Sequence, residues 1–484
     1  MTEPRLTPHT LALALLLAIP PMALAQGFDP FATRDGISAS PAKAMLQAAT
    51  DEEEPCHFDS LGTPLALVEA VERALCHDPQ SRQAWANAKL QAAQIGVAKS
   101  AYLPAVAATL DASRQEARTS YKDYSVLDST VRPTIRSGGL KMSLVLADFG
   151  QRSANLDQAR SLLDAANAAH DATLQAAFVA AAQAYFDTQT AHATLDASRE
   201  AERAAKESFA AAEAKYRAGI GGLTDQLQAQ TAYSKAALDR VSAEGELKNA
   251  QGTLATAMGL TANTPMVLAK RRDTLPDTDF VKPVDELIDE ARQNHPALIA
   301  AAAQLRAAQA KIEAVTAEGR PTISLASEYN HSEQLHQPPS LGLTPTGINA
   351  RNASIGVQVN IPLFEGFGRS YRVQAARDQA EVKQAELDGA AQQVILEVWK
   401  SYQTLRTEDE SIKAAEELAK SARTSFKVAQ GRYKAGVGNI LETLNAQSAQ
   451  ANAEQQRIKS ISRWHTARLK LAASIGKLGL WAIQ

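Results

Sequence analysis

The chain contains one pattern twice. Lys215-Tyr216-Arg217-Ala218-Gly219-Ile220-Gly221 faces Arg432-Tyr433-Lys434-Ala435-Gly436-Val437-Gly438, so that Tyr216 answers to Tyr433 at an offset of 433 − 216 = 217. The same shift aligns Asp78-Pro79 with His295-Pro296, Pro104 with Pro321, Arg152 with Arg369 and Tyr185 with Tyr402. It also aligns Phe209 with Phe426, Leu227 with Leu444 and Gly259 with Gly476, with no insertion or deletion between 78 and 259. A period this long is not that of a solenoid, so the chain is a duplicated half rather than an array.

Each half carries a very long helix-favouring stretch. Residues 151–218 hold neither Pro nor Gly, and 24 of these 68 are Ala. Apolar positions recur three and four apart, as in Phe178, Ala181, Ala182, Tyr185 and Phe186, the spacing of an amphipathic helix. As one helix the stretch would run roughly 100 Å at about 1.5 Å per residue. Its counterpart, 369–435, also lacks Pro, although Gly389 and Gly431 interrupt it. After a glycine-containing turn a second helix returns, over 223–258 and 440–475. Helices of this length need partners along their whole extent. A coiled-coil scaffold or adhesin of an export compartment is therefore one reading.

Period-two segments oppose that reading. Val106, Ala108, Leu110 and Ala112 alternate with Ala107, Thr109, Asp111 and Ser113. Leu140, Met142, Leu144 and Leu146 alternate with Gly139, Lys141, Ser143 and Val145. The second half repeats this: Ile323, Leu325 and Tyr329 oppose Ser324, Glu328 and Asn330, and Ile355, Val357, Val359 and Ile361 oppose Ser354, Gly356, Gln358 and Asn360. Strands are expected at about 105–114, 139–147, 322–330 and 353–361, each with one oily and one wet face. Each run approaches the ~9–11 residues with which a tilted strand crosses a membrane. After the N-terminal leader no apolar run reaches the roughly 18 residues that a spanning helix needs. A membrane would then be crossed only by a closed barrel. Four strands are too few to close one, since small barrels take about eight. Several chains must pool their strands.

The N-terminus sets the compartment. Leu11 to Ile19 reads LALALLLAI, too short to span as a helix, and is followed by Pro20-Pro21 and Ala23-Leu24-Ala25. Residues 1–25 are expected to be a signal peptide cleaved after Ala25, with an uncleaved membrane anchor as the alternative. Cys56 and Cys76 are the chain's two cysteines. In an oxidising compartment they are expected to form one disulfide, pinning an extended segment (26–63) to the first helix. A metal site with His57 and His77 is the alternative, though the tight Cys-x-x-Cys spacing of zinc sites is missing. Lys and Arg total 50 against 53 Asp and Glu, which gives no electrostatic case for nucleic acid. No Gly-x-Ser-x-Gly, His-Glu-x-x-His or Walker-type loop is present, so no catalytic residues, cofactor or metal are expected. His331 and His336 read as solvated loop histidines. The first repeat is placed at 64–280, with a helical hairpin at 151–259. The second is placed at 281–476, with its hairpin at 369–475, and residues 477–484 form a tail.

These pieces resemble the TolC-like outer-membrane efflux and type I secretion proteins. The resemblance covers the chain from Leu61 to Ile475. It is carried by the doubled Tyr-x-Ala-Gly turns at Tyr216 and Tyr433, by the strand openings Tyr102-Leu103-Pro104 and Arg320-Pro321, and by Pro362-Leu363-Phe364-Glu365-Gly366, echoed by Leu146-Ala147-Asp148-Phe149-Gly150. It implies a mainly α fold with a membrane β-barrel. Each half would give a strand pair and a long helical hairpin. Three chains would then share a 12-stranded barrel continuous with a periplasmic α-helical barrel. The implied partners are two sister copies, outer-membrane lipid, a periplasmic adaptor and an inner-membrane exporter. An ATP-binding exporter is favoured, with a proton-driven pump as the alternative. Within the family the chain is similar to the cyclolysin-secreting branch, with small-molecule efflux as the second reading.

The resemblance also assigns sites. The resting gate would use Asp225 hydrogen-bonded to Tyr433, and Glu442 would form a constricting ring of three carboxylates. Gly438 stands where a basic latch residue would be, and Asn445 where a second ring acid would be, so Arg217 or Lys434 are candidate substitutes for the latch. Gly219, Gly221 and Leu223, with Gly436, Gly438 and Ile440, are implied as the adaptor-docking tips. Loops 114–137 and 331–351 would lie outside the cell.

Overall fold

The computed structural model describes residues 29–37, 61, 64–269, 282–335 and 347–478. The expected signal peptide, Cys56, His57, His336 and residues 479–484 lie outside the described residues. The elements run α1 (Leu67–His77), α2 (Pro79–Ser100), β1 (Ala105–Arg114), β2 (Ala117–Thr119), β3 (Ser129–Val131), β4 (Thr134–Ala147), α3 (Gln151–Arg217) and α4 (Leu223–Ala257). They continue with α5 (Val284–Asn294), α6 (Pro296–Ala317), β5 (Thr322–Leu335), β6 (Ile348–Asn360), α7 (Gly368–Lys434) and α8 (Ile440–Ser474). The fold is mainly helical. Every helix of the second half begins and ends at the offset of the sequence repeat, as in 284 − 67 = 217 and 474 − 257 = 217.

The chain divides into two units. Of the described residues, the first takes 29–37, 89–163, 307–335 and 347–378 and holds the sheet. Four antiparallel strands lie in the order β1-β4-β5-β6, so β4 and β5 join the two halves. Val106 faces Met142, Leu144 faces Leu325, and Leu325 faces Val357, which lines the oily positions of all four strands along one face. Lys141 faces Glu328 on the other side and pairs with it at 3.5 Å. Toward both edges the oily row is open among the described residues: Leu110 is 89% exposed and Ile355 74%. β1 and β6 end the sheet, and each has one side unpaired among the described residues.

Three strands are longer than the alternation predicts. β4 starts at Thr134, earlier than the alternation shows, since Gly138 leaves a gap in the oily row and Gly139 one in the wet row; a Cβ on Gly139 would sit 3.2 Å from the Tyr329 carbonyl across the ladder. β5 continues to Leu335 and β6 begins at Ile348, through polar residues whose backbone ladder needs no oily face. The loops accordingly shrink. Arg114, Ser137, His331 and Arg351 are strand residues, and 117–131 holds the short ribbon β2–β3 with Tyr121 N–H donating to Asp128 (2.8 Å).

Of the described residues, the second unit takes 61, 64–88, 164–269, 282–306 and 379–478. Its short helices are wedges. α1 buries Ala70, Val71, Ala74 and Leu75 against Leu174, Phe178 and Tyr185 of α3, Leu254 of α4, Met258 just beyond it and Leu469 of α8. α5 buries Leu287 and Ala291 beside Val394, Val398 and Leu405 of α7 and Trp464 of α8. Such apolar wedges supply the lateral partners that helices as long as α3 and α7 require. Each return helix ends on a glycine of positive φ, Gly259 (75°) and Gly476 (73°). There the backbone passes so close to His77 and Asn294 that a Cβ would lie 2.4 and 2.7 Å from them. Among the described residues no helix is long and apolar enough to cross a membrane, which says nothing of the strands.

Candidate functional site

The two helical reversals close in the same way. Beyond α3, Gly219 N–H donates to Tyr216 O and Ile220 N–H to Lys215 O, both at 3.0 Å. Beyond α7, Gly436 N–H donates to Tyr433 O (3.2 Å) and Val437 N–H to Arg432 O (3.0 Å). These nested bonds satisfy the last carbonyls of each helix and require a left-handed residue, which Gly219 and Gly436 supply at φ 73° and 79°. Gly221 and Gly438 serve the same reversal: a Cβ on either would lie 3.0 Å from the Cβ of Lys215 or Arg432. Their absent side chains are thus explained by the turn itself. α8 restarts with Asn439 as its cap, whose Oδ1 accepts from the Glu442 N–H at 2.7 Å.

The chemistry differs between the halves. Tyr433 and Ile440 are buried against Ala212 and Ala229, flanked by Phe209, Ala211 and Leu444. Their repeat mates, Tyr216 and Leu223, are 42% and 51% exposed, and Leu227 is 51% exposed. Tyr433 and Ile440 of one hairpin are therefore covered inside the chain, while their mates in the other are open. Lys215 Nζ donates to the Tyr433 carbonyl at 2.6 Å and stands 3.8 Å from the centre of its ring. Further up the same helices Gln447 of α8 donates to the Ala201 carbonyl of α3 at 3.3 Å and faces the Ser208 hydroxyl at 3.4 Å.

Asp225 and Tyr433 are brought near one another. Burial, and then the Asp225 carboxylate, push the Tyr433 phenol above its ordinary pKa. No hydrogen bond joins them within the chain, so the contact implied by the resemblance is not made there. The tyrosine is instead held by its ring face and backbone carbonyl, which leaves its hydroxyl free of any described partner. Glu442 pairs with Arg432 at 3.1 Å, so its charge is partly answered inside the same hairpin. Asn445 follows about one turn later and is exposed. Arg217, a candidate latch, is tied back to Glu213 at 2.7 Å, because four residues of helix bring those side chains together. The basic residues that do reach across the turns are Lys215 and Arg432. Sequence reasoning passed over both, although each directly precedes the turn tyrosine of its half. Among the described residues no group of His, Cys, Asp and Glu could hold a metal ion.

Comparison with known proteins follows the duplication. The profile of a family described as outer membrane efflux protein matches residues 70–260 and 287–477. The chain is 34% identical over 449 residues to Protein CyaE of Bordetella pertussis, across 92% of this chain and 91% of that protein. It is 22% identical over 427 residues to the outer membrane protein TolC of Escherichia coli, across 87% and 84%. Its fold is similar to that of a membrane protein from Pseudomonas aeruginosa, with a TM-score of 0.73 at 24% identity over 89% of this chain and 97% of that one. With both halves matched, the chain belongs to the outer membrane efflux protein family, TolC-like channels of the outer membrane rather than enzymes.

Proposed function

We propose that three copies of the chain form a passive duct through the outer membrane and that the two helical reversals of each copy build its periplasmic gate. The observation that carries this reading is the four-stranded sheet with an oily face that is open toward its two free edges. Unpaired edges are not tolerated in lipid, so sister sheets must complete the cylinder, with the Lys141–Glu328 side toward water. The bare tip residues Tyr216, Leu223 and Leu227 are open to a sister chain or, with the turn glycines, to a periplasmic adaptor. Energy for transport comes from an inner-membrane exporter, as in the tripartite systems this family serves.

The proposed cargo is protein, on the resemblance to the cyclolysin-secreting branch. The family's description as efflux proteins favours small molecules as the second reading. The Cys56–Cys76 bridge remains part of the proposal, supported by the absence of a free cysteine among the described residues. The deciding experiment is the mass of the detergent-solubilised assembly together with its conductance in planar bilayers. A three-chain mass and cation-permeable channels are expected. A monomer that conducts nothing would overturn the duct.

A further inference from the structure

The geometry points to Lys215 as the positioning residue that holds each protomer's two hairpins together at the gate, a role that rests on the duct reading above. The two halves place a cation at the same site, one residue before the turn tyrosine, yet use it differently. Arg432 turns to Glu442 of its own hairpin, 3.1 Å away. Lys215 leaves its hairpin and meets the other, with its ammonium 2.6 Å from the Tyr433 carbonyl and 3.8 Å from the ring centre.

The rest of the tip contact is small and apolar. Ala212 and Ala229 lie against Tyr433 and Ile440, a surface that can slide without leaving a polar group stranded. The ammonium is the directional element. It is half-buried, it donates to a carbonyl at the end of a helix where donors are favoured, and it lies against an aromatic face. Separating the hairpins strips both contacts at once. Arg240, which bonds Glu202 at 2.7 Å, ties α3 to α4 within one hairpin and would not resist that movement. Gln447 would resist it, but through neutral hydrogen bonds at 3.3 and 3.4 Å, weaker than a charge-assisted one.

The clasp therefore works through the ring and carbonyl of Tyr433 and not through its hydroxyl. This separates it from a latch in which Asp225 binds that hydroxyl. Full-length parent, Lys215→Met, Lys215→Arg and Tyr433→Phe assemblies are purified, reconstituted in planar bilayers and compared for resting conductance. Their melting temperatures are measured in the same detergent.

Lys215→Met keeps the aliphatic stem and should raise the open fraction on the order of ten-fold, the scale of a lost cation–π and charge-assisted hydrogen bond, with an unchanged melting temperature. Lys215→Arg should return to the parent level, and Tyr433→Phe, which keeps the ring and the carbonyl that the ammonium meets, should open the channel clearly less than Lys215→Met. A conducting parent with an unmoved Lys215→Met overturns the clasp alone. So does a Tyr433→Phe channel as open as Lys215→Met, since the hydroxyl would then be the latch. Silence from the parent and every variant overturns the duct and the clasp together.

Discussion

Arg152 shows how much one side chain can hold. Its guanidinium donates to Asp148 at 2.8 Å and to the Val145 carbonyl at 2.7 Å, and it covers the Tyr102 ring at 4.6 Å. Asp148 is only 8% exposed, and Arg152→Ala would leave its charge with only the backbone N–H groups of residues 150 and 152, which should cost about 3 kcal/mol. Thermal melts of the assembly would read this, and Arg160→Ala, at an exposed pair, should shift them hardly at all. Glu442 belongs to the same scale. Glu442→Ala should weaken cation selectivity, and Arg432→Ala, by freeing the carboxylate from its 3.1 Å partner, should strengthen it. Reversal potentials in asymmetric salt decide both.

His170 offers a pH prediction. It is fully buried, and neither ring nitrogen has a hydrogen-bond partner. Burial pulls its pKa below the ordinary histidine value. With the folded value below the unfolded one, stability is whole above about pH 6.5 and is lost as pH falls toward the folded pKa. The repeat mate is Leu387, so His170→Leu is the natural control. Its melting temperature should fall less than the parent's between neutral and mildly acidic buffer.

At the scale of elements, the helices were legible and the strand ends were not. A Pro-free, Ala-rich stretch with three- and four-residue spacing admits little but helix, and α3 follows it from Gln151 to Arg217. The start of β4 was hidden by Gly138 and Gly139, and the ends of β5 and β6 by residues that break the alternation. Backbone pairing rather than side-chain burial sets those limits. The gate was half legible: the repeat marked the turns and their tyrosines, but identical motifs cannot announce that one tyrosine is buried and the other bare. That difference arises only when Tyr433 of α7 meets Ala212 of α3 and Ala229 of α4. The reversals themselves support a graded prediction. Gly259→Ala meets both a positive φ and a 2.4 Å contact with His77. It should cost about 3 kcal/mol, since strain and overpacking add. Gly219→Ala has the same φ problem in open space, and should cost about 1 kcal/mol. Chemical or thermal unfolding of the two variants side by side would test the ranking.

At the scale of the whole molecule, the matched lengths carry a consequence. α3 and α7 each have 67 residues and α4 and α8 each have 35. One residue inserted into a single arm would advance its tip by about 1.5 Å and swing it by about 100°. Lys215 would then point away from the ring it must meet. In the arms such indels are expected only as paired events in both copies. The ancient doubling thus acts as a ruler: the reach of the hairpins can drift only when both legs are recut together.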